Sequence, residues 1–134
     1  MEVKSLVKRE PIVVELGTPL RTAAQIMVKE NIGLLPIVSP GNNRRVIGVI
    51  SERDFVKAFA THRGLDELNV EDVGTMNNIV TIRDEEQVSK AAALMCENNI
   101  RHLVVVDKDG LLVGVISIRD IIRIEELLKL TSMA

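Results

Sequence analysis

Along this chain short apolar runs alternate with stretches in which apolar residues return every three or four positions, and the whole order occurs twice. Leu20, Ala23, Ala24 and Met27 keep helical spacing, as do Val88, Ala91, Ala92 and Met95, so each set forms one apolar helix face. The paired alanines imply that another backbone comes close there. The runs before these helices, residues 11–14 and 79–82, are short, apolar and rich in β-branched residues, and predict strands. Thr18-Pro19 predicts the start of the first helix, and Asp84 with Gln87 three residues on predicts a capping box for its counterpart. Residues 34–38 with 46–50, and 102–106 with 111–116, then predict two β-hairpins separated by turn residues that include Pro40, Gly41, Asp109 and Gly110. These strands are apolar at nearly every position, as strands covered on both faces are. A second helix is predicted after each hairpin, from near Glu52 and near Ile118. Residues 61–77 join the two halves and leave room for a short helix of their own.

The two halves match residue by residue. Residues 22–38 align with 90–106 at an offset of 68, and seven of the seventeen pairs are identical, among them Met27/Met95, Asn31/Asn99 and Leu35/Leu103. Gly48-Val49-Ile50-Ser51-Glu52-Arg53-Asp54 returns as Gly114-Val115-Ile116-Ser117-Ile118-Arg119-Asp120, with only the fifth position changed. Two copies suggest two units facing each other, since an open solenoid needs about three or more repeats. Each motif reads as a strand end running into a helix, so a Ser hydroxyl and an Asp carboxylate share a helix N-terminus. Free backbone N–H groups there favour an anion, which makes the place suitable for a sugar-phosphate. One such copy would be explained by helix capping alone; two near-identical copies call for a more specific account.

Composition narrows the choice. The 134 residues are 46% hydrophobic and 27% charged, as in a globular domain. A net charge of −2, with two Phe and no Trp or Tyr, argues against nucleic acid or anionic membrane as a partner. No apolar run reaches the ~20 residues of a membrane-spanning helix, and the first ten residues lack the core of a signal peptide, so a cytoplasmic protein is expected. The single Cys96 permits no internal disulfide, and His62 and His102 lie too far apart for a metal-binding spacing. Neither a P-loop nor a dinucleotide fingerprint occurs, and no nucleophile–base pair can be named, so no catalytic residue, required cofactor or metal site is expected.

A β-α-β-β-α unit with a small-residue helix, an N-I-x-x-L-x-V-V strand and a G-V-I-S-x-R-D strand end resembles the CBS domain, the regulatory module named after cystathionine beta-synthase. The whole chain resembles one CBS pair, or Bateman module. The resemblance implies an α/β (α+β) fold of two tandem units, residues 1–60 and 78–134 joined by 61–77, packed about a pseudo-twofold axis. It also implies clefts that take adenosine nucleotides such as AMP, ADP, ATP or S-adenosylmethionine. In such a cleft Asp54 and Asp120 would accept hydrogen bonds from ribose hydroxyls, and Ser51 and Ser117 would contact ribose or phosphate. Ile12, Val14, Ile79 and Thr81 would line the adenine slot. Arg101 and His102 match the family's phosphate-facing basic position, where the first unit has Gly33 and Leu34. Arg53 and Arg119 could reach a phosphate or pair with a nearby carboxylate.

The function expected is therefore a nucleotide sensor that reports to a partner protein, with a docking scaffold whose clefts stay empty as the alternative. An enzyme is the remaining option and the least supported. The final helix, through Ile121, Ile122, Ile124, Leu127, Leu128 and Leu130, carries more apolar surface than one small sheet would cover, and predicts a homodimer.

Overall fold

The computed structural model describes residues 1–133, with side chains described through Glu126 and for Leu128 and Lys129. It is a mixed α+β protein with two three-stranded sheets. Contacts divide the chain into one unit of Ile12–Ile79 and another made of Met1–Pro11 with the chain from Val80 onward. The repeat suggests a division at 1–60, 61–77 and 78–134. By contacts, residues 61–77 belong instead to the first unit, and the N-terminal residues belong to the second.

The first unit runs β1 (Val14–Glu15), α1 (Leu20–Glu30), β2 (Leu34–Ser39), β3 (Asn42–Ser51), α2 (Glu52–Thr61), a 3-10 turn at Leu65–Glu67 and α3 (Val70–Val73). Its sheet order is β1-β2-β3, parallel between the first two strands and antiparallel in the hairpin. Leu20, Ala23 and Met27 of α1 pack with Val14, Leu35, Ile37, Ile50, Ala58 and Val70 to form its core. The second unit repeats this as β4 (Thr81–Arg83), α4 (Val88–Asn98), β5 (His102–Val106), β6 (Leu112–Ser117) and α5 (Ile118–Met133). Its core joins Ala91 and Met95 to Ile82, Leu103, Val105, Ile116 and Ile121, and takes Val3 and Leu6 from the N-terminal segment. Asn31 and Asn99 end α1 and α4 in the left-handed conformation, at φ 53° and 52°. Asn tolerates that conformation better than most residues, which accounts for its presence in both copies.

Each unit is completed by a segment that precedes a strand only later in the chain. In the first, the Leu20 N–H that opens α1 donates to the Leu68 carbonyl (2.9 Å) and the Val70 N–H donates to Thr18 (2.9 Å). In the second, the Val88 N–H that opens α4 donates to the Met1 carbonyl (3.0 Å) and the Val3 N–H donates to Glu86 (2.8 Å). Val70 and Val3 are each fully buried at the centre of this arrangement. The backbone carbonyls meet N–H groups that a helix start otherwise leaves open. The predicted Asp84-x-x-Gln87 capping box does not form, because Gln87 is itself the residue before the helix and its side chain accepts from the Met1 ammonium (3.0 Å). Thr18 likewise donates its hydroxyl to the Glu15 carbonyl (2.7 Å) and caps nothing.

The opening strands are shorter and later than residues 11–14 and 79–82. Val14 pairs with Ile37 and Ile82 with Val105, so Val14 corresponds to Ile82 and not to Thr81. Successive strand residues face opposite ways, so that one-residue difference exchanges inside for outside. Ile82 is buried and Thr81 is exposed. The final helix is also less bare than its sequence suggests. Ile121 is buried and Ile124 packs on the core, leaving Ile122 (52% exposed) and Leu128 (60%) as its exposed apolar residues, while the side chains of Leu127 and Leu130 lie outside the described residues.

Candidate functional site

In both copies of the repeated motif the sheet hands the chain directly to a helix: β3 ends at Ser51 before α2, and β6 ends at Ser117 before α5. Ile50 and Ile116, each with no exposed surface, anchor the strand end in its core. The motif glycines have a packing role. A Cβ on Gly114 would sit 2.5 Å from Val7 Cγ1, and one on Gly48 would run into Met76 Sδ and come within 3.0 Å of the Thr75 carbonyl. A completing segment crosses the sheet at each glycine, and only a residue without a side chain leaves it room.

Ser and Asp then form the same constellation twice. The Ser51 N–H donates to Asp54 Oδ2 (2.8 Å) and the Ser51 hydroxyl approaches the same oxygen (3.2 Å). The corresponding distances from Ser117 to Asp120 Oδ2 are 2.8 and 3.2 Å, and the Asp120 N–H returns a bond to Ser117 Oγ at 3.3 Å. Both are capping boxes with Asp in the usual Glu position, so the capping explanation is correct as far as it goes. It occupies only half of each carboxylate. Oδ1 of Asp54 and of Asp120 takes no hydrogen bond from any described residue, and both side chains are half-buried. An acceptor of this kind, held rigid by its other oxygen, suits a pair of neighbouring hydroxyls.

The surrounding charges differ between the copies. Arg53 and Arg119 are exposed and form no side-chain bond or ion pair with the described residues, so neither neutralises a carboxylate here. The Ile118 N–H donates to the Arg101 carbonyl (2.8 Å), which places exposed Arg101 and half-buried His102 beside the second motif. The Glu52 N–H makes the same bond to Gly33 (3.1 Å). Of the residues expected at an adenine slot, Ile12 and Ile79 are half-buried, Thr81 is exposed, and Val14 is 4% exposed within its own core, leaving little more than backbone for a ligand. Sequence reasoning missed Val7 and Met76, which press on the motif glycines, although the glycine in both copies was a signal of close approach. It also missed the apolar residues that α2 exposes, Val56 (69%) and Phe59 (78%).

Among the described residues no group of three or more His, Cys, Asp or Glu could hold a metal ion, and no helix is long and apolar enough to cross a membrane.

Comparison with known proteins identifies the family of this fold. The CBS domain family model matches residues 3–61 and 70–126, and the chain belongs to that family. A CBS domain protein of Pyrobaculum aerophilum, solved in complex with AMP, is 36% identical and superposes with a TM-score of 0.84 over 90% of this chain and 89% of that one. The CBS domain pair of protein MJ0100, solved with 5′-methylthioadenosine and S-adenosyl-L-methionine, is 31% identical with a TM-score of 0.83, covering 92% of this chain and 98% of that one. Among curated proteins, the mitochondrial CBS domain-containing protein CBSX3 of Arabidopsis thaliana is 36% identical over 75% of this chain, which spans 50% of the relative's length.

Proposed function

We propose that this chain is a regulatory module that binds an adenosine nucleotide at its Ser-x-x-Asp motifs and passes the occupancy on to a partner protein. The observation that carries the reading is the half-used carboxylate, built identically in both units with one oxygen capping a helix and the other open. A helix cap has no need of an open, half-buried oxygen; a ribose diol does. The AMP, 5′-methylthioadenosine and S-adenosylmethionine held by the solved relatives support the adenosyl part of the ligand. Ligand would leave unchanged, since the Ser hydroxyl and the carboxylate oxygen beside it in each motif are both engaged in capping the helix.

The exposed Val56, Phe59, Ile122 and Leu128 favour an accompanying homodimer, and support the alternative of a docking scaffold with no ligand. A thermal-shift panel of AMP, ATP, S-adenosylmethionine and GTP separates the readings. An adenosine compound at 100 times its dissociation constant should stabilise the fold by about 2.7 kcal/mol. If no adenosine compound moves the melting point at millimolar concentration, the sensor reading fails and the scaffold replaces it.

A further inference from the structure

Beyond a shared preference for adenosine, we propose that the two motifs select by charge: the first takes a nucleoside without a 5′-phosphate, and Glu52 is the residue that excludes the phosphate. The inference rests on the adenosine-binding reading above and adds a division of ligand class to it.

It starts from the one position at which the repeated motifs differ. Glu52 and Ile118 each follow the motif Ser and open the helix, and each makes the same backbone bond, to Gly33 and to Arg101 respectively. Position 52 therefore touches position 33 as 118 touches 101. In the second unit this pair is an aliphatic side chain and a guanidinium; in the first it is a carboxylate and no side chain at all. Both motifs carry an Asp and an Arg, Asp54 with Arg53 and Asp120 with Arg119, and these cancel in the comparison. What is left is one negative charge at the first motif and one positive charge at the second, with His102 adding a further ring where the first unit has Leu34.

Glu52 is exposed, and its carboxylate forms no hydrogen bond or ion pair with a side chain among the described residues, so no side-chain cation among them neutralises it. Arg101 likewise has no side-chain partner among them. A 5′-phosphate brought to the first helix start would face an added carboxylate, where the second unit adds a cation at the residue bonded to the same helix start. Like charges brought together at a partly exposed site disfavour binding by up to about tenfold. An uncharged thioether or a sulfonium at the 5′ carbon meets no such penalty, and a sulfonium gains from the carboxylate.

Titration calorimetry of the full chain tests this with AMP and 5′-methylthioadenosine as probes. Asp120→Asn weakens the second site, so that the first carries the larger share of the signal. The expected result is that Asp120→Asn binds 5′-methylthioadenosine more tightly than AMP, by up to about tenfold. Glu52→Gln and Glu52→Ile, added to it, should each close that gap by raising AMP affinity up to about tenfold while moving methylthioadenosine little. Added salt should strengthen AMP binding at the first site by screening the repulsion, and weaken it at the second. Equal affinity for the two probes in Asp120→Asn, or a preference untouched by both Glu52 variants, overturns the charge selection while leaving adenosine binding intact. Failure of the unaltered chain to bind either probe overturns both readings together. Glu52 is exposed, so its variants should fold.

Discussion

Replacing Leu6 by Ala should unfold the second unit more easily than any exposed change near it. Leu6 lies 76 positions before Ile82 (82 − 6) and farther still before Ala91, Met95 and Ile116, yet it is 2% exposed and shares a core with all four. Cutting a buried Leu to Ala costs about 2–5 kcal/mol, the spread depending on how far the surroundings close over the cavity. Leu6 sits in a short 3-10 helix, Val3–Leu6, whose backbone can settle inward, which favours the lower part of that range, about 2–3 kcal/mol. For a chain of this length that corresponds to a fall of roughly 6–12 °C in melting temperature. Lys4→Ala supplies the control, since Lys4 is exposed and its ion pair with Glu2 (3.1 Å) contributes little in water. Differential scanning calorimetry on both variants gives the answer. A Leu6→Ala melting point within about 1 °C of Lys4→Ala would refute the assignment of Met1–Pro11 to the second unit.

Three further outcomes are expected. Asp120→Ala should weaken AMP binding about ten- to hundredfold, and more than Asp54→Ala, by calorimetric titration; equal losses would contradict the asymmetry in basic residues. The hydrogen bond and charge of Arg21 hold the Asp66 carboxyl below its ordinary value of 3.8, so the pair stabilises above that pH and its contribution is lost as the pH falls through the lowered value. Both groups are exposed, so Asp66→Asn should lower stability only slightly at neutral pH, and the difference should vanish in acid below the lowered value; a loss that persists there would show another role. Light scattering on the 14.8 kDa chain should give a mass of about 30 kDa, reduced by Phe59→Glu or Ile122→Glu, whereas a monomeric mass would remove the homodimer.

Much of the fold is legible locally. The helical faces of α1 and α4, the paired Asn31 and Asn99 at their ends and the two hairpins each leave a short-range signature of spacing or turn chemistry. The Ser-x-x-Asp boxes are equally local and form as their spacing predicts. What the sequence hides is set by distant backbone. No side chain announces that the Met1 carbonyl accepts from Val88 or that Leu68 accepts from Leu20, because any residue can supply a carbonyl. The register of the opening strands is hidden for a related reason. Residues 12–14 are apolar without interruption and only Thr81 breaks 79–82, so pairing with β2 and β5 decides which alternate set faces inward. The exposure of Phe59 depends on which side of α2 meets the sheet, and its composition alone leaves that open.

The central claim is that the open Asp54 and Asp120 oxygens receive a ribose diol, and the most direct measurement removes the diol and leaves the protein untouched. Calorimetric titration of the unaltered chain with AMP and with 2′,3′-dideoxy-AMP compares ligands that differ only in those hydroxyls. The account predicts a loss of about tenfold or more for the dideoxy compound, the worth of a charge-assisted hydrogen bond. Equal affinity for the two would mean that the carboxylates are helix caps and nothing else.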